Sequence, residues 1–233
     1  PVVIMEVSDR AEELDQFRII NGTAKSVRTD LVNSIITALA EHQGEDTIAA
    51  KDRWKIIVTK VVDIMDRTPG SPWEDMLLMP DMLGKDFPAK IARATSVMTS
   101  IRPIYNWLQE FGIFKDRAGT SFDDESAYMA KILIEYWRAL KSVVPEAFSA
   151  PDDYVIQKTP GLFALHWVLR DRLLPRIYHG RRDWDQATFE EFLGVSPEIA
   201  DPEYWDKTKD RAAAYGSMKG FRELADFLND SLD

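Results

Sequence analysis

The sequence predicts a mainly α protein with one or two short strands. Apolar residues recur at helical spacing over most of the chain, Gly and Pro gather in a few breaks between those periodic stretches, and β-branched runs are scarce. The 233 residues suffice for one large domain or two small ones, and a domain of that size buries well over half of the surface its unfolded chain exposes.

Pro1-Val2-Val3-Ile4-Met5-Glu6-Val7 reads as a buried strand entered in mid-fold, without an initiating Met. The expectation is the C-terminal part of a larger protein, with the partner strands and any active-site motif upstream. Ser8 can cap a helix over 8–20, with Leu14, Phe17 and Ile20 on its apolar face, and Asn21-Gly22-Thr23 breaks the pattern. From Ser26, Leu31, Val32, Ile35, Ile36 and Leu39 carry a second helix to Gly44. A third starts at Asp46 or Thr47, and its Trp54, Ile57, Val58, Val61, Val62 and Met65 run to Thr68-Pro69-Gly70-Ser71-Pro72. That turn is the expected boundary between residues 1–67 and 68–233.

The run Met76-Leu77-Leu78-Met79 fits a short strand or a helical turn, with the balance toward strand. Residues 89–111 are periodic, with a kink or restart expected at Pro103, and Ser121-Phe122-Asp123-Asp124 has the form of a capping box. The next stripe, Tyr128, Met129, Ile132, Leu133, Tyr136, Trp137, Leu140, Val143 and Val144, is the most regular in the chain. Gly161 to Leu174 is apolar nearly all round and predicts a buried helix. Thr188 with Glu191 forms another capping box, and a last helix covers 218–232 with Phe221, Leu224, Phe227 and Leu228 inward.

Composition narrows the function classes. Without any Cys there are no disulfides, thiolate metal sites or cysteine nucleophiles, and the cytoplasm is the expected compartment. No apolar run approaches the ~18 residues that span a bilayer, so no membrane partner is expected. A formal charge of −10 opposes general affinity for a phosphate backbone. Residues 156–183 run against that trend, with Lys158, Arg170, Arg172, Arg176, Arg181 and Arg182 facing only Asp171 and Asp183, a local net of +4. This segment is the best basic candidate for contacting nucleic acid, although a solvated helix face accounts for it as well.

Motifs for resident chemistry are missing. His42, His166 and His179 are scattered, and His166 falls in the most apolar helix, as a hydrogen-bonded core histidine would. There is no P-loop, no Gly-x-Gly-x-x-Gly and no Gly-x-Ser-x-Gly. The pairs Glu12/Glu13, Asp123/Asp124 and Asp152/Asp153 lie at or near expected helix starts, where the helix dipole alone favours carboxylates. The stretch from Ile20 to Arg28 places Asn21, Thr23, Lys25, Ser26 and Arg28 between helix ends, where free backbone N–H groups can hold an anion. It reads equally as a Gly-containing helix–helix turn.

Here the sequence resembles a known family. Pro1-Val2-Val3-Ile4, an acidic helix ending Phe17-Arg18-Ile19-Ile20-Asn21, and Val27 with Leu31 look like the stretch just after the Asp-Gly-Gln-His-Arg motif of the DGQHR-domain family. Ser71-Pro72-Trp73, Tyr136-Trp137, Lys158-Thr159-Pro160-Gly161-Leu162 and Gly216-Ser217-Met218-Lys219-Gly220-Phe221 resemble its C-terminal half. That family includes the DndB and DpdB proteins of bacterial DNA-modification and defence systems, with a core similar to ParB and sulfiredoxin. The motif itself is absent from these residues. The resemblance implies that 1–67 closes a ParB/sulfiredoxin-like core and 68–233 is a helical C-terminal domain. It also implies a non-catalytic regulator or nucleic-acid-binding role, with DNA and other proteins of a DNA-modification system as partners. No cofactor is expected here, though a nucleotide could bind the full-length protein. Asn21, Thr23, Lys25 and Arg28 correspond to a region beside the nucleotide or nucleic-acid site of ParB-like relatives. Two rival readings stand beside this one: a nucleotide-hydrolysing enzyme with its catalytic motif upstream, and a protein–protein interaction module.

Overall fold

The stripe from Tyr128 to Val144 makes one long helix, and much of the chain is packed around it. A computed structural model describes residues 10–23, 29–79, 90–119 and 121–232. Those residues form twelve α-helices and one pair of two-residue parallel strands, a mainly α fold. No helix among them is long and apolar enough to cross a membrane.

The long helix is α5 (Phe122–Val143). Ser121 starts it: its Oγ accepts the Asp124 N–H at 3.0 Å and donates to the Asp124 carboxylate at 2.7 Å. Asp123, Asp124 and Glu125 sit in the first turn, where the helix dipole favours them, and Pro145 comes directly after the C-cap residue Val144.

Before α5 come α1 (Arg10–Thr23), α2 (Thr29–Gln43), α3 (Arg53–Arg67), β1 (Leu77–Leu78), β2 (Ala92–Arg93) and α4 (Ala94–Glu110). After it come α6 (Pro145–Ser149), α7 (Thr159–Val168), α8 (Leu174–His179), α9 (Gln186–Leu193), α10 (Pro197–Ala200), α11 (Pro202–Trp205) and α12 (Met218–Asp230). Helices α3 and α9 pack on α5, while α7 is covered by α4 and α12. Ile56, Ile57, Val58, Val61, Val62 and Met65 of α3 are all fully buried, each burial stabilising the fold by about 1.5–3 kcal/mol.

The core runs without interruption across residues 68–72. Gly70 (φ 74°) turns the chain there, and Trp73 meets Trp137 edge to face with ring centroids 4.8 Å apart. Asp66 ties down the residues after Trp73: its carboxylate accepts the Leu77 N–H at 2.9 Å and its carbonyl accepts the Asp75 N–H. Leu77 and Leu78 then pair with Ala92 and Arg93, so the apolar run at 76–79 holds a strand, two residues long.

Several expectations need correction. Helix α1 continues through Asn21-Gly22-Thr23, since its last turn absorbs weak helix formers at little cost. Two single 3₁₀ turns, Glu45–Thr47 and Ala50–Asp52, precede α3, which begins only at Arg53. Helix α4 runs through Pro103; the donor that proline lacks would have served the carbonyl of Thr99, an exposed residue that water reaches. The buried helix expected from Gly161 to Leu174 is α7, a π-helical turn at Leu169–Leu173, and then α8. Asp185, not Thr188, caps α9, and Thr188 lies inside the helix. Asp152 and Asp153 sit in the turn after α6 rather than at a helix start, each paired with a lysine, Lys158 and Lys207. Phe227 is 44% exposed and stacks on Tyr204 instead of facing inward. The expected strand at 1–7 lies outside the described residues.

Candidate functional site

On α5, Tyr128, Lys131, Ile132 and Glu135 recur at helical spacing and share a face. Glu135 anchors the neighbouring segment to that face: one carboxylate oxygen accepts the Gln186 N–H at 3.1 Å and the other accepts from Arg138 at 2.7 Å. Asp185 accepts the Thr188 N–H at 2.8 Å and so caps α9. With the chain held just after it at Asp185 and Gln186, Trp184 rests with its ring 6.2 Å from that of Tyr128.

The opposite wall comes from the π-helical turn Phe114–Ala118, whose Phe114 is buried against Tyr105. Gly119 ends the turn at φ 116°, and a Cβ there would lie 2.7 Å from the Asp124 carboxylate, so both backbone and space require glycine. Arg117 is thereby held with its guanidinium carbon 5.4 Å from the Trp184 ring, on the side of the cleft where it also acts on the Tyr128 hydroxyl.

Together these segments line a cleft of about 470 Å³, within the range of small-molecule sites, with Ile132 as its apolar lining residue. Its polar and aromatic lining is Arg117, Tyr128, Lys131, Asp183, Trp184 and Asp185. Neither Arg117 nor Lys131 has a carboxylate partner among the described residues. Trp184 is 6% exposed, and its indole N–H is buried with no hydrogen-bond partner. Aromatic contacts continue outward from it: Trp107 stands 6.3 Å from Trp184 and stacks at 4.5 Å on Phe111, which is exposed.

This arrangement suits binding more than proton transfer. Burial raises the Tyr128 hydroxyl pKa, with Arg117 partly offsetting it. The Thr188 backbone N–H and then its hydroxyl hold Asp185 below the usual carboxylate range. Both shifts move away from neutrality, the opposite of what a general acid or base working near pH 7 needs. Among the described residues no three His, Asp or Glu side chains gather as a metal site.

The predicted cations of 156–183 are dispersed, and three of the six pair with carboxylates. Arg170 pairs with Asp171, which also takes Arg222 at 2.9 Å. Arg182 makes a two-pronged pair with Glu191 at 2.8 and 2.6 Å. Arg176 and Arg182 meet over the Phe192 ring, at 4.7 and 5.3 Å, and Arg176 also donates to the Leu232 carbonyl. Arg172 is half-buried. Lys158 pairs with Asp152 at 3.1 Å. Arg181, exposed in a left-handed turn (φ 54°), has no carboxylate partner among the described residues and precedes Asp183 by two positions. Asn21 and Thr23 belong to the last turn of α1, while Lys25 and Arg28 lie outside the described residues.

Sequence reasoning missed the cleft. Its only linear trace is Lys131 and Glu135 interleaved with the apolar stripe of α5, because Arg117 and Trp184 come from remote segments. No family model matches the chain, and neither a curated protein nor a solved structure is detectably similar to it.

Proposed function

We propose that this chain is a non-catalytic nucleic-acid-binding component of a bacterial DNA-modification system, working in the cytoplasm, and that it contacts an unpaired strand through the Arg117–Trp184 cleft. The observation that carries this reading is the cleft itself, where two cations without carboxylate partners among the described residues stand beside the rings of Trp184 and Tyr128. Single strands are held by that combination: cations track the phosphates, and rings stack the bases at about 1–3 kcal/mol each. Beyond the cleft, exposed Phe111, stacked on Trp107, offers a further stacking face. A duplex hides its base faces, and it would need the long run of unpaired cations that a protein of charge −10 does not offer. The family resemblance supplies the DNA-modification setting.

The test is fluorescence anisotropy of labelled single-stranded and duplex DNA at low and high salt. The single strand should bind better and weaken as salt rises. Arg117→Glu with Lys131→Glu should abolish binding, whereas Arg172→Glu with Arg176→Glu should leave it nearly intact. Failure to bind any strand at low salt would sink the proposal.

A second reading, a protein-interaction module, is favoured by one observation. Val195 and Phe227 are exposed near the place where Ser196 meets Ser231, at 2.6 Å between hydroxyls. A salt-independent oligomer or complex without DNA affinity would support it.

A further inference from the structure

We infer that the cleft takes one nucleotide unit at a time, an unstacked base lying against the half-buried Tyr128 ring beside the edge of Trp184, with its phosphate between Arg117 and Lys131, and that it prefers bases bearing an exocyclic amine. This rests on the nucleic-acid reading and names the ligand of the same site.

The lining defines the ligand by what it must present. A bare anion would be served by the cations alone, and a hydrocarbon by the rings alone. Here two rings, two cations and two carboxylates share about 470 Å³. An occupant that satisfies all six has a flat π face, a negative charge and at least one N–H donor, and a nucleotide has each of these. An acidic aliphatic peptide side chain has no flat π face, and neither has inorganic phosphate.

Two groups are left unused by the protein. The Trp184 indole N–H, on a side chain 6% exposed, has no acceptor, and a buried unpaired donor costs about 1–3 kcal/mol. A ring nitrogen or carbonyl of a bound base would satisfy it once the ring adjusts. Asp183 is exposed and makes no hydrogen bond or ion pair among the described residues, whereas Asp185 already accepts from Thr188. A carboxylate accepts well from the amino group of cytosine, adenine or guanine. Thymine has no such group.

The measurement is a proton–nitrogen NMR titration of the indole signals of the whole chain. The Trp184 signal is the one of seven that disappears in Trp184→Phe. Should that variant prove unstable, it is the signal whose position changes in Arg117→Ala, whose guanidinium lies 5.4 Å from that ring. Deoxycytidine, deoxyadenosine and thymidine monophosphates and inorganic phosphate are added in turn. The Trp184 signal should move to saturation with the first two, bind about tenfold more weakly in Arg117→Ala, and respond little to inorganic phosphate. Asp183→Ala, which removes the acceptor, should erase the preference over thymidine monophosphate. A signal that moves as far with inorganic phosphate as with nucleotides, or with none of them, overturns the inference. If nucleotides fail while a labelled strand still binds and Arg117→Glu with Lys131→Glu abolishes it, only the single-nucleotide inference falls. If the strand fails too, the nucleic-acid reading falls with it.

Discussion

His166 shows how far one buried side chain can be resolved. It is fully buried; Trp137 Nε1 lies 3.0 Å from its Nε2 and Ser100 Oγ 2.8 Å from its Nδ1. An indole N–H only donates, so Nε2 must accept, the proton must sit on Nδ1, and it is donated to Ser100. The Ser100 hydroxyl then donates to the Val97 carbonyl at 2.8 Å, and every group in the chain of bonds is used. Burial lowers this histidine from 6.5 to about 3. Below pH 6.5 the unfolded chain gains a proton that the folded one refuses, so stability falls as pH drops toward about 3. Between pH 7 and 5 the wild type should lose about 2 kcal/mol relative to His166→Gln, measured by urea melts at each pH. Glu125 offers a contrasting case. It is 5% exposed, it pairs with Arg53 at 2.5 Å, and burial raises its pKa against the pull of that guanidinium. Arg53→Ala strands a buried carboxylate and should cost about 3 kcal/mol, while adding Glu125→Gln should recover part of it.

At the scale of elements, α3, α5 and α7 were legible because each carries a long apolar period or an apolar surface all round. Where two cap residues compete, the linear pattern fails. Asp185 and Thr188 are both good caps, and Glu191, the expected partner of Thr188, is drawn to Arg182 instead. The π-helical turns at Phe114–Ala118 and Leu169–Leu173 left no trace either, since each interrupts the helical period for a single turn. Helix α7 depends on one glycine. A Cβ at Gly161 would lie 2.3 Å from the Ile156 carbonyl and 2.6 Å from that of Val155, both backbone atoms that cannot yield cheaply. Gly161→Ala should therefore cost at least about 3 kcal/mol in a urea melt. Gly119→Ala meets only the Asp124 side chain, which can move, but its φ of 116° strains an alanine; it should cost about 1–3 kcal/mol, displace Arg117 and weaken strand binding.

For the molecule as a whole, the helical class could be read from the sequence, and the place where it binds could not. The linear charge count marked 156–183 as basic, yet in the fold Lys158, Arg170 and Arg182 pair with Asp152, Asp171 and Glu191, which leaves fewer free cations than the count suggests. The cleft, by contrast, needs Arg117, Tyr128 and Trp184 together, residues that no motif links until α9 docks on α5. The central claim is therefore one of location, and the most direct test is ultraviolet cross-linking of an iodopyrimidine-bearing single strand, with the adducts mapped by mass spectrometry. Adducts on the peptides holding Trp184, Tyr128 or Trp107 are predicted, and they should vanish in Arg117→Glu with Lys131→Glu. Adducts confined to residues 170–182 or 20–28, or their persistence in that variant, would contradict the account.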